Sequence, residues 1–575
     1  MSSDVFTYLV GGKAGEGVKK AGSVAANLFA EMGRSAFQYD DYQSLIRGGH
    51  NFSVVSTATR DVGSHYGKAE LIVALDELSY RKHRGSLAPG GVLVCDPDSV
   101  PGEGAPEGGA PSEDGSDGGG ANVSGSVITV PIRAEAAGLP FPELRVGVAG
   151  AAALCAVTGL TAADLEELIR AEYPRDLENN VLYGRAIYDA VLAATDVRFP
   201  LERGDRVRPL LAGNECIALG AVAAGLDVYA AYPMTPSSSL LHYLAKHDEA
   251  LGVTVMHPES EIAVANIAVG AATMGARAMV GSSGGGFALM EEALSFAGMA
   301  EVPLLCMLSA RSGPSTGVPT YTEQADLRFA LNQGHGEFSR VVASPGTFAE
   351  AYRVTAELMD VAWRFQTVGI VLTEKHLSEC SATVELDVDG APWPEPNLAL
   401  GDGYRRYAVT DDGVSPMLFP PSQELIKWSS YEHDEYGVTT EESEAIVLMH
   451  DKRNRKIKAI EEHVRGLSTV VWHGDPDAPL IFTYGSTTMS VVEAVRAGGL
   501  HAAVVQLVYL EPFPVWELEG LSGSRPVVVE QSSTGQFETL LREKAGIEAL
   551  ASVRRYDGRP FEPLELAREL EEVLS

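Results

Sequence analysis

The chain has 575 residues, 45% of them apolar, and 44 Lys and Arg against 78 Asp and Glu, for a formal net charge of −34. Charge of that sign and size argues against nucleic acid as a partner, because phosphates would be repelled and no basic patch with interleaved aromatic residues offsets it. No apolar run reaches the roughly 18 residues of a membrane span, and Met1-Ser2-Ser3-Asp4 puts no basic region before the short apolar run Val5 to Val10, so a cytoplasmic protein without a signal peptide is expected.

Length predicts about three or four domains. Val5 to Val10 reads as a buried strand, then comes Gly11-Gly12-Lys13-Ala14-Gly15-Glu16-Gly17 as a glycine loop, then a helix from about Val18 to Met32. Strand, glycine loop, helix is an anion-binding plan, since glycines let backbone amides approach a phosphate at a helix N-terminus. The spacing fits neither GxGxxG nor a P-loop. Ser44-Leu45-Ile46-Arg47-Gly48-Gly49-His50-Asn51 is either a second grip on a phosphate-bearing ligand or a solvated loop. Ile72 to Asp76, Val92 to Cys95 and Val127 to Ile132 read as further strands, and Gly147 to Val157 and Ala162 to Ala171 as helices. Between Ser99 and Ser126 the chain is Gly, Pro, Ser and acid, too poor in apolar side chains to offset its ordering entropy, which predicts an exposed flexible insertion. The first domain is expected to close near residue 199.

From about Leu210 to Thr373 helices and apolar strands alternate, which predicts a doubly wound parallel sheet with ligands at the carboxyl ends of its strands. The expected strands are Val228 to Ala231, Val253 to Met256, Ala278 to Gly281, Leu304 to Leu308 and Gly369 to Leu372. Tyr232-Pro233-Met234-Thr235-Pro236-Ser237-Ser238-Ser239 follows the first of these. Its prolines forbid a regular ladder, so it is expected to turn rigidly into a serine-capped helix whose amides and hydroxyls converge on an anion. Three more loops fall at the same rim: His257 to Glu261, Ser282 to Gly286 and Arg311 to Thr320. Beyond Val384 the pattern loosens. The run Lys452-Arg453-Asn454-Arg455-Lys456 reads as a solvated helix face first and a partner contact second. A last α/β domain begins near Pro479, with strands Leu480 to Tyr484, Val504 to Val508 and Val527 to Glu530. Five cysteines, Cys95, Cys155, Cys216, Cys306 and Cys380, form no CxxC pair and read as buried thiols, so no metal site is expected in this chain.

Taken together, GGKAGEGV, SLIRGGHN, YPMTPSSSL, PESEIAVANIAVGAA, GSSGGGFALMEE, RSGPSTGVPTYTEQADL, EHDEYG with HDKRNRK, YGST, and EPFP with VEQSSTGQ stand in an order that resembles the fused gamma–alpha subunit of the 2-oxoacid:ferredoxin oxidoreductases, most closely the 2-oxoglutarate branch. Gly285 stands where that family usually has proline, and Ser532 where it usually has asparagine. The resemblance implies an α/β multidomain fold of doubly wound parallel sheets: a gamma domain over residues 1–199, a thiamine diphosphate pyrimidine-binding domain over 205–400, a connecting segment over 401–475 and a transketolase C-terminal-like domain over 476–575.

It also implies thiamine diphosphate chemistry. Glu261 would meet N1′ of the aminopyrimidine, sharing a proton with the ring so that the cofactor's own amine can remove the thiazolium C2 proton; its bland reading is a charge complementing a helix dipole. Thr235 and Arg311, with Ser237 beside them, would hold the 2-keto-carboxylate. Gly15, Gly17, Arg47 and Gly48 are the coenzyme A candidates. Gly401-Asp402-Gly403 has no asparagine partner at the spacing of a diphosphate site and is read as a chance match. The diphosphate site, its Mg2+ and a 4Fe-4S iron–sulfur cluster are therefore expected on a beta subunit, in an (alpha–beta)2 heterotetramer that reduces ferredoxin. The implied reaction is coenzyme A-dependent oxidative decarboxylation of 2-oxoglutarate to succinyl-CoA, a step of TCA-cycle type. The alternatives are pyruvate or a branched 2-oxoacid as substrate, or, in another class, a non-redox transketolase-type enzyme.

Overall fold

Residues 4–44, 48–101, 125–400 and 403–575 are described by the computed structural model, and the chain divides into two units. One is Met1–Leu210 with Cys380–Val384; the other is Leu211–Glu379 with Glu385–Ser575.

In the first unit the strand Phe6–Ala14 runs further than its apolar run, through the glycines. It pairs parallel with Ala69–Ala74, which continues in parallel to Leu87–Cys95 and Ser126–Thr129. On its other side it pairs antiparallel with Gly48–Ala58, then Ser35–Asp41, then Ser381–Thr383. The sheet is therefore mixed. The antiparallel half carries polar residues that are buried in pairs, Gln38 and Ser53 both donating to Asp40 Oδ1 at 2.9 and 2.7 Å, so it lacks the apolar signature of a buried strand. Helix Val18–Glu31 and the wholly buried helix Val148–Thr158 cover this sheet, with Tyr8, Val24 and Phe29 in the core. The strand expected to reach Ile132 stops at Thr129, and Ile132 instead opens the helix Ile132–Ala137. The expected insertion lies mostly outside the described residues, at 102–124.

The second unit holds two sheets. The larger is ordered Tyr509–Glu511, Arg340–Ala343, Val368–Glu374, Leu304–Ala310, Ala278–Ser282, Val228–Ala230, Thr254–Met256. All its neighbours are parallel except the first pair, where the C-terminal part of the chain lends an antiparallel edge strand. The smaller sheet is ordered Val470–His473, Ala503–Leu507, Leu480–Tyr484, Val527–Glu530, Ala551–Arg554. Phe482, Val505 and Val528 join Leu304, Val342 and Leu372 in one apolar core. Helix Ser443–Val464 shows that the basic run is not a solvated face. Lys452, Arg453 and Lys456 are buried, Lys452 Nζ lies 2.5 Å from Glu301 Oε1, Lys456 pairs with Glu301 Oε2, and Arg453 forks onto Glu432. Two lysines and Arg406 hold the Glu301 carboxyl ionised, well below the usual carboxylate range, against the opposing effect of burial. Among the described residues no helix is long and apolar enough to cross a membrane.

Candidate functional site

The larger sheet of the second unit directs four loops to its carboxyl edge. After Val228–Ala230 the chain turns through Thr235-Pro236 into the helix Ser238–Leu251. The expected serine cap is not made: Ser237 is buried and its hydroxyl donates 2.7 Å to the Met234 carbonyl, while Ser239 Oγ accepts from Asn214 Nδ2. These hydroxyls brace the turn from within. Both are already engaged by groups of the protein itself. Thr235 is half-buried, and its carbonyl accepts 2.8 Å from Arg311 Nη1. Thr235 and Arg311, on loops from two different strands, are thus brought together.

Glu261 opens the helix Glu261–Thr273, whose N-cap Ser260 accepts from the Ala263 amide. Only 3% of it is exposed, and its Oε1 has no hydrogen-bond partner. It is wedged against the loop that leads into helix Gly284–Leu289: a Cβ on Gly286 would lie 2.5 Å from Glu261 Oε1 and 2.1 Å from Ser282 Oγ, so only glycine fits. Ser282 Oγ lies 3.8 Å from Met234 Sδ, which ties this loop to the Thr235 turn. Ser283 in the same loop has a buried hydroxyl without a partner. A buried carboxylate oxygen left unpaired costs free energy unless a ligand donor completes it. A ring nitrogen bearing a proton, such as N1′ of an aminopyrimidine, is a donor of the kind this oxygen lacks.

Two acidic residues not anticipated from the sequence line a crevice together with Ala310, the residue before Arg311. Asp326 packs its Oδ2 against Gly284, and Glu374 ends the strand beside Leu304–Ala310, in register with Ala310. Together with Gln324, Thr373 and Tyr484 they line one crevice. Burial, then Glu323, pushes Asp326 up to about 6, opposed by Arg311. Burial pushes Glu374 up to about 7, opposed by hydrogen bonds from Ser486. Asp326 lies inside the RSGPSTGVPTYTEQADL stretch, directly before the helix Leu327–Leu331. Glu374 carries no local signal, because only the parallel pairing sets it beside the arginine loop.

In the first unit the expected phosphate loop is partly a strand. Gly11 and Gly12 pair with Phe52 and Asn51, and Ala14 with Gly48, so Gly48 is brought next to Gly15. Gly15 and Gly17 take left-handed φ of 100° and 79° at the strand-to-helix turn. The Lys13 amide is already taken by Glu16 Oε2 at 2.9 Å, and Arg133 holds Oε1 at 2.7 Å. His50 is buried, its Nε2 2.8 Å from His83 Nε2, and burial lowers it to about 4, so it contributes no positive charge near neutrality. Arg47 lies outside the described residues, as do Gly401 and Asp402.

Comparison with known proteins places these features in a family. Residues 219–452 match the family model described as pyruvate flavodoxin/ferredoxin oxidoreductase, thiamine diphosphate-binding, and residues 7–190 the one described as pyruvate ferredoxin/flavodoxin oxidoreductase. The alpha subunit of 2-oxoacid:ferredoxin oxidoreductase 2 from Aeropyrum pernix is 30% identical over 99% of this chain and 97% of its own length. The 2-oxoglutarate synthase subunit KorA of Archaeoglobus fulgidus is 31% identical over 57% of this chain and 88% of its own length. Among solved structures, 2-oxoglutarate:ferredoxin oxidoreductase from Magnetococcus marinus, with 2-oxoglutarate, coenzyme A and succinyl-CoA bound, superposes with a TM-score of 0.88 at 25% identity over the whole of both chains.

Proposed function

The chain belongs to the family of 2-oxoacid:ferredoxin oxidoreductase alpha subunits, and from that premise we propose that it is the pyrimidine-binding half of an enzyme that oxidatively decarboxylates 2-oxoglutarate to succinyl-CoA and reduces ferredoxin. The observation that carries the reading is the buried, unpartnered Oε1 of Glu261 at the carboxyl edge of the larger sheet. Thiamine diphosphate, when bound, supplies a carbon acid that can add to a ketone and stabilise the carbanion left by loss of CO2.

Glu261 would share the proton of the pyrimidine N1′, accepting a hydrogen bond from the protonated ring nitrogen, and the missing side chain of Gly286 leaves the space its carboxylate occupies. Arg311, anchored by one N–H on the Thr235 carbonyl, has donors left for a substrate carboxylate, and the Thr235 hydroxyl would add a further bond. Gly15 and Gly17, just past the end of strand Phe6–Ala14, and Gly48, at the start of its neighbour Gly48–Ala58, are the backbone positions proposed for coenzyme A, with Arg47 preceding Gly48 in the sequence. The diphosphate, Mg2+ and the 4Fe-4S cluster are assigned to a beta subunit, in an (alpha–beta)2 assembly. A rim of half-exposed apolar side chains, Tyr232, Met256, Ile262, Leu289 and Val318, supports a partner surface over this site. The 2-oxoglutarate assignment rests on the names of the Archaeoglobus and Magnetococcus proteins.

The test is a comparison of kcat/KM for 2-oxoglutarate, pyruvate and a branched 2-oxoacid in the complex reconstituted with its beta subunit. A preference for 2-oxoglutarate of about tenfold or more, the discrimination one well-placed charge contact provides, is the expected outcome. A preference for pyruvate would replace the substrate while leaving the half-site reading intact.

A further inference from the structure

At the other edge of the larger sheet, where its parallel strands begin, a second polar pocket is built. Arg340 opens its strand in register with Val368, which also faces Leu304, the first residue of Leu304–Ala310, whereas Arg311 follows the last residue of that strand. Val342 lies opposite Glu511 on the antiparallel edge strand, so Arg340, two residues earlier, presents its side chain on the same face as Glu511. Both line a cavity of about 140 Å3, whose apolar wall is Leu331, Phe338, Ile457 and Ile460.

Only part of the Arg340 guanidinium is used by the protein. Its Nη1 donates 2.6 Å to the Leu331 carbonyl, and its central carbon sits 4.3 Å from the centre of the Phe338 ring. Nε is buried and has no hydrogen-bond partner, and among the described residues nothing accepts from Nη2 either. Nε–H and the adjacent Nη2–H point the same way and form the fork that takes both oxygens of a carboxylate. A buried donor left unpaired costs free energy that a ligand oxygen would offset. Glu511 does not fill the fork. Among the described residues Arg340 has no ion pair, and Glu511 Oε2 instead stands 3.7 Å from Lys544 Nζ, in a partly exposed pair. One cavity therefore holds an open arginine fork, a separate carboxylate and an apolar wall.

We propose that this cavity binds a free aliphatic α-amino acid of about leucine's size, with its carboxylate on the Arg340 fork, its ammonium group at Glu511 and its side chain against Ile457 and Ile460. The inference is independent of the thiamine reading. Arg340 alone would suit any carboxylate. Glu511 in the same cavity repels a second carboxylate, which disfavours a dianion such as 2-oxoglutarate, and it can accept from an ammonium group held beside the first. Size narrows the choice further. At roughly 10–15 Å3 for each water-sized group, a cavity of about 140 Å3 holds on the order of ten non-hydrogen atoms. Nucleotides and other ligands that need roughly 300 Å3 or more do not fit. A molecule bound there would join strand Arg340–Ala343, the edge strand Tyr509–Glu511 and helix Ser443–Val464, so its binding is read as stabilisation of the folded chain.

The experiment is calorimetric titration and thermal unfolding of the full chain with L-leucine, glycine, isocaproate, which lacks the ammonium group, and isoamylamine, which lacks the carboxylate. Leucine is expected to bind with a Kd on the order of 0.1–1 mM and to raise Tm. The three analogues should each bind about tenfold more weakly or worse. R340Q should weaken leucine binding at least about tenfold, and E511Q should weaken it by a similar factor while leaving isocaproate unchanged. Absence of both heat and a Tm shift with millimolar leucine would overturn the proposal. So would isocaproate binding as tightly as leucine, or a leucine affinity unchanged in both variants. Should R340Q not fold, because the Leu331 carbonyl loses its donor, R340K keeps a cation and a donor without the fork and is expected to weaken leucine binding. An unchanged leucine affinity in E511Q would then overturn the proposal.

Discussion

A buried carboxylate oxygen with nothing to accept from is expensive, and Glu261 keeps one at the mouth of a sheet where ligands of this fold class bind. Its helix-end position is the bland half of its sequence reading, since an acid in the first turn complements the helix dipole. The wedge formed by Gly286 and Ser282 adds what that reading lacks, a fixed direction for the carboxylate. Substituting Glu261→Gln keeps the shape and the packing, but the amide cannot share the ring proton. Turnover of the reconstituted enzyme is expected to fall by about two to four orders of magnitude, with assembly and melting temperature close to wild type. The rate of hydrogen–deuterium exchange at the thiazolium C2 checks it, and an exchange rate equal to wild type would return Glu261 to the role of a helix-end charge.

At the scale of elements, Glu301 joins helix Glu291–Ala300 to helix Ser443–Val464, about 150 residues further along the chain, through Lys452 and Lys456. Removing the acid strands two buried ammonium groups, so Glu301→Gln is expected to cost about 3–5 kcal/mol, read by denaturant unfolding of the second unit. Because the Glu301 value is depressed, its contribution is present above the ordinary carboxylate range and is lost as pH falls through the depressed value. A loss below about 1 kcal/mol would mean that the helix is held by its apolar side instead. The same pair shows where sequence reading stops. Lys452 and Lys456 look solvated because their partner is remote in the chain. Ser35–Asp41 was illegible for a related reason, as its Gln38 and Asp40 are buried against Ser53 across the sheet. By contrast, the central strands of the larger sheet, Ala278–Ser282, Leu304–Ala310 and Val368–Glu374, read directly as apolar runs because parallel strands are covered on both faces, whereas Arg340–Ala343 and the edge strand Tyr509–Glu511 are not among the expected strands. The loops at their ends are therefore legible in the sequence, while the crevice shared by Asp326 and Glu374 follows only from the register of Ala310 and Glu374.

For the whole molecule, the proposed function makes this chain half of a site. A bound diphosphate brings several negative charges to a chain whose formal net charge is already −34, and Arg311 is already committed to the Thr235 carbonyl and proposed for the substrate. Such a group is held only where a divalent cation and additional donors offset it. Both would come with the second subunit, seated on the apolar rim around Tyr232, Ile262 and Val318. The chain purified alone is accordingly expected to bind thiamine diphosphate weakly, at millimolar levels on the order of what one hydrogen-bonded contact and a stacked ring supply, and to reduce neither ferredoxin nor a viologen with any 2-oxoacid and coenzyme A. Titrating in the beta subunit with Mg2+ should restore both binding and turnover at a one-to-one ratio of chains. Calorimetry with thiamine diphosphate and anaerobic viologen reduction measure the two quantities separately. Turnover by the lone chain would place the diphosphate site within it and remove the need for a partner at this rim.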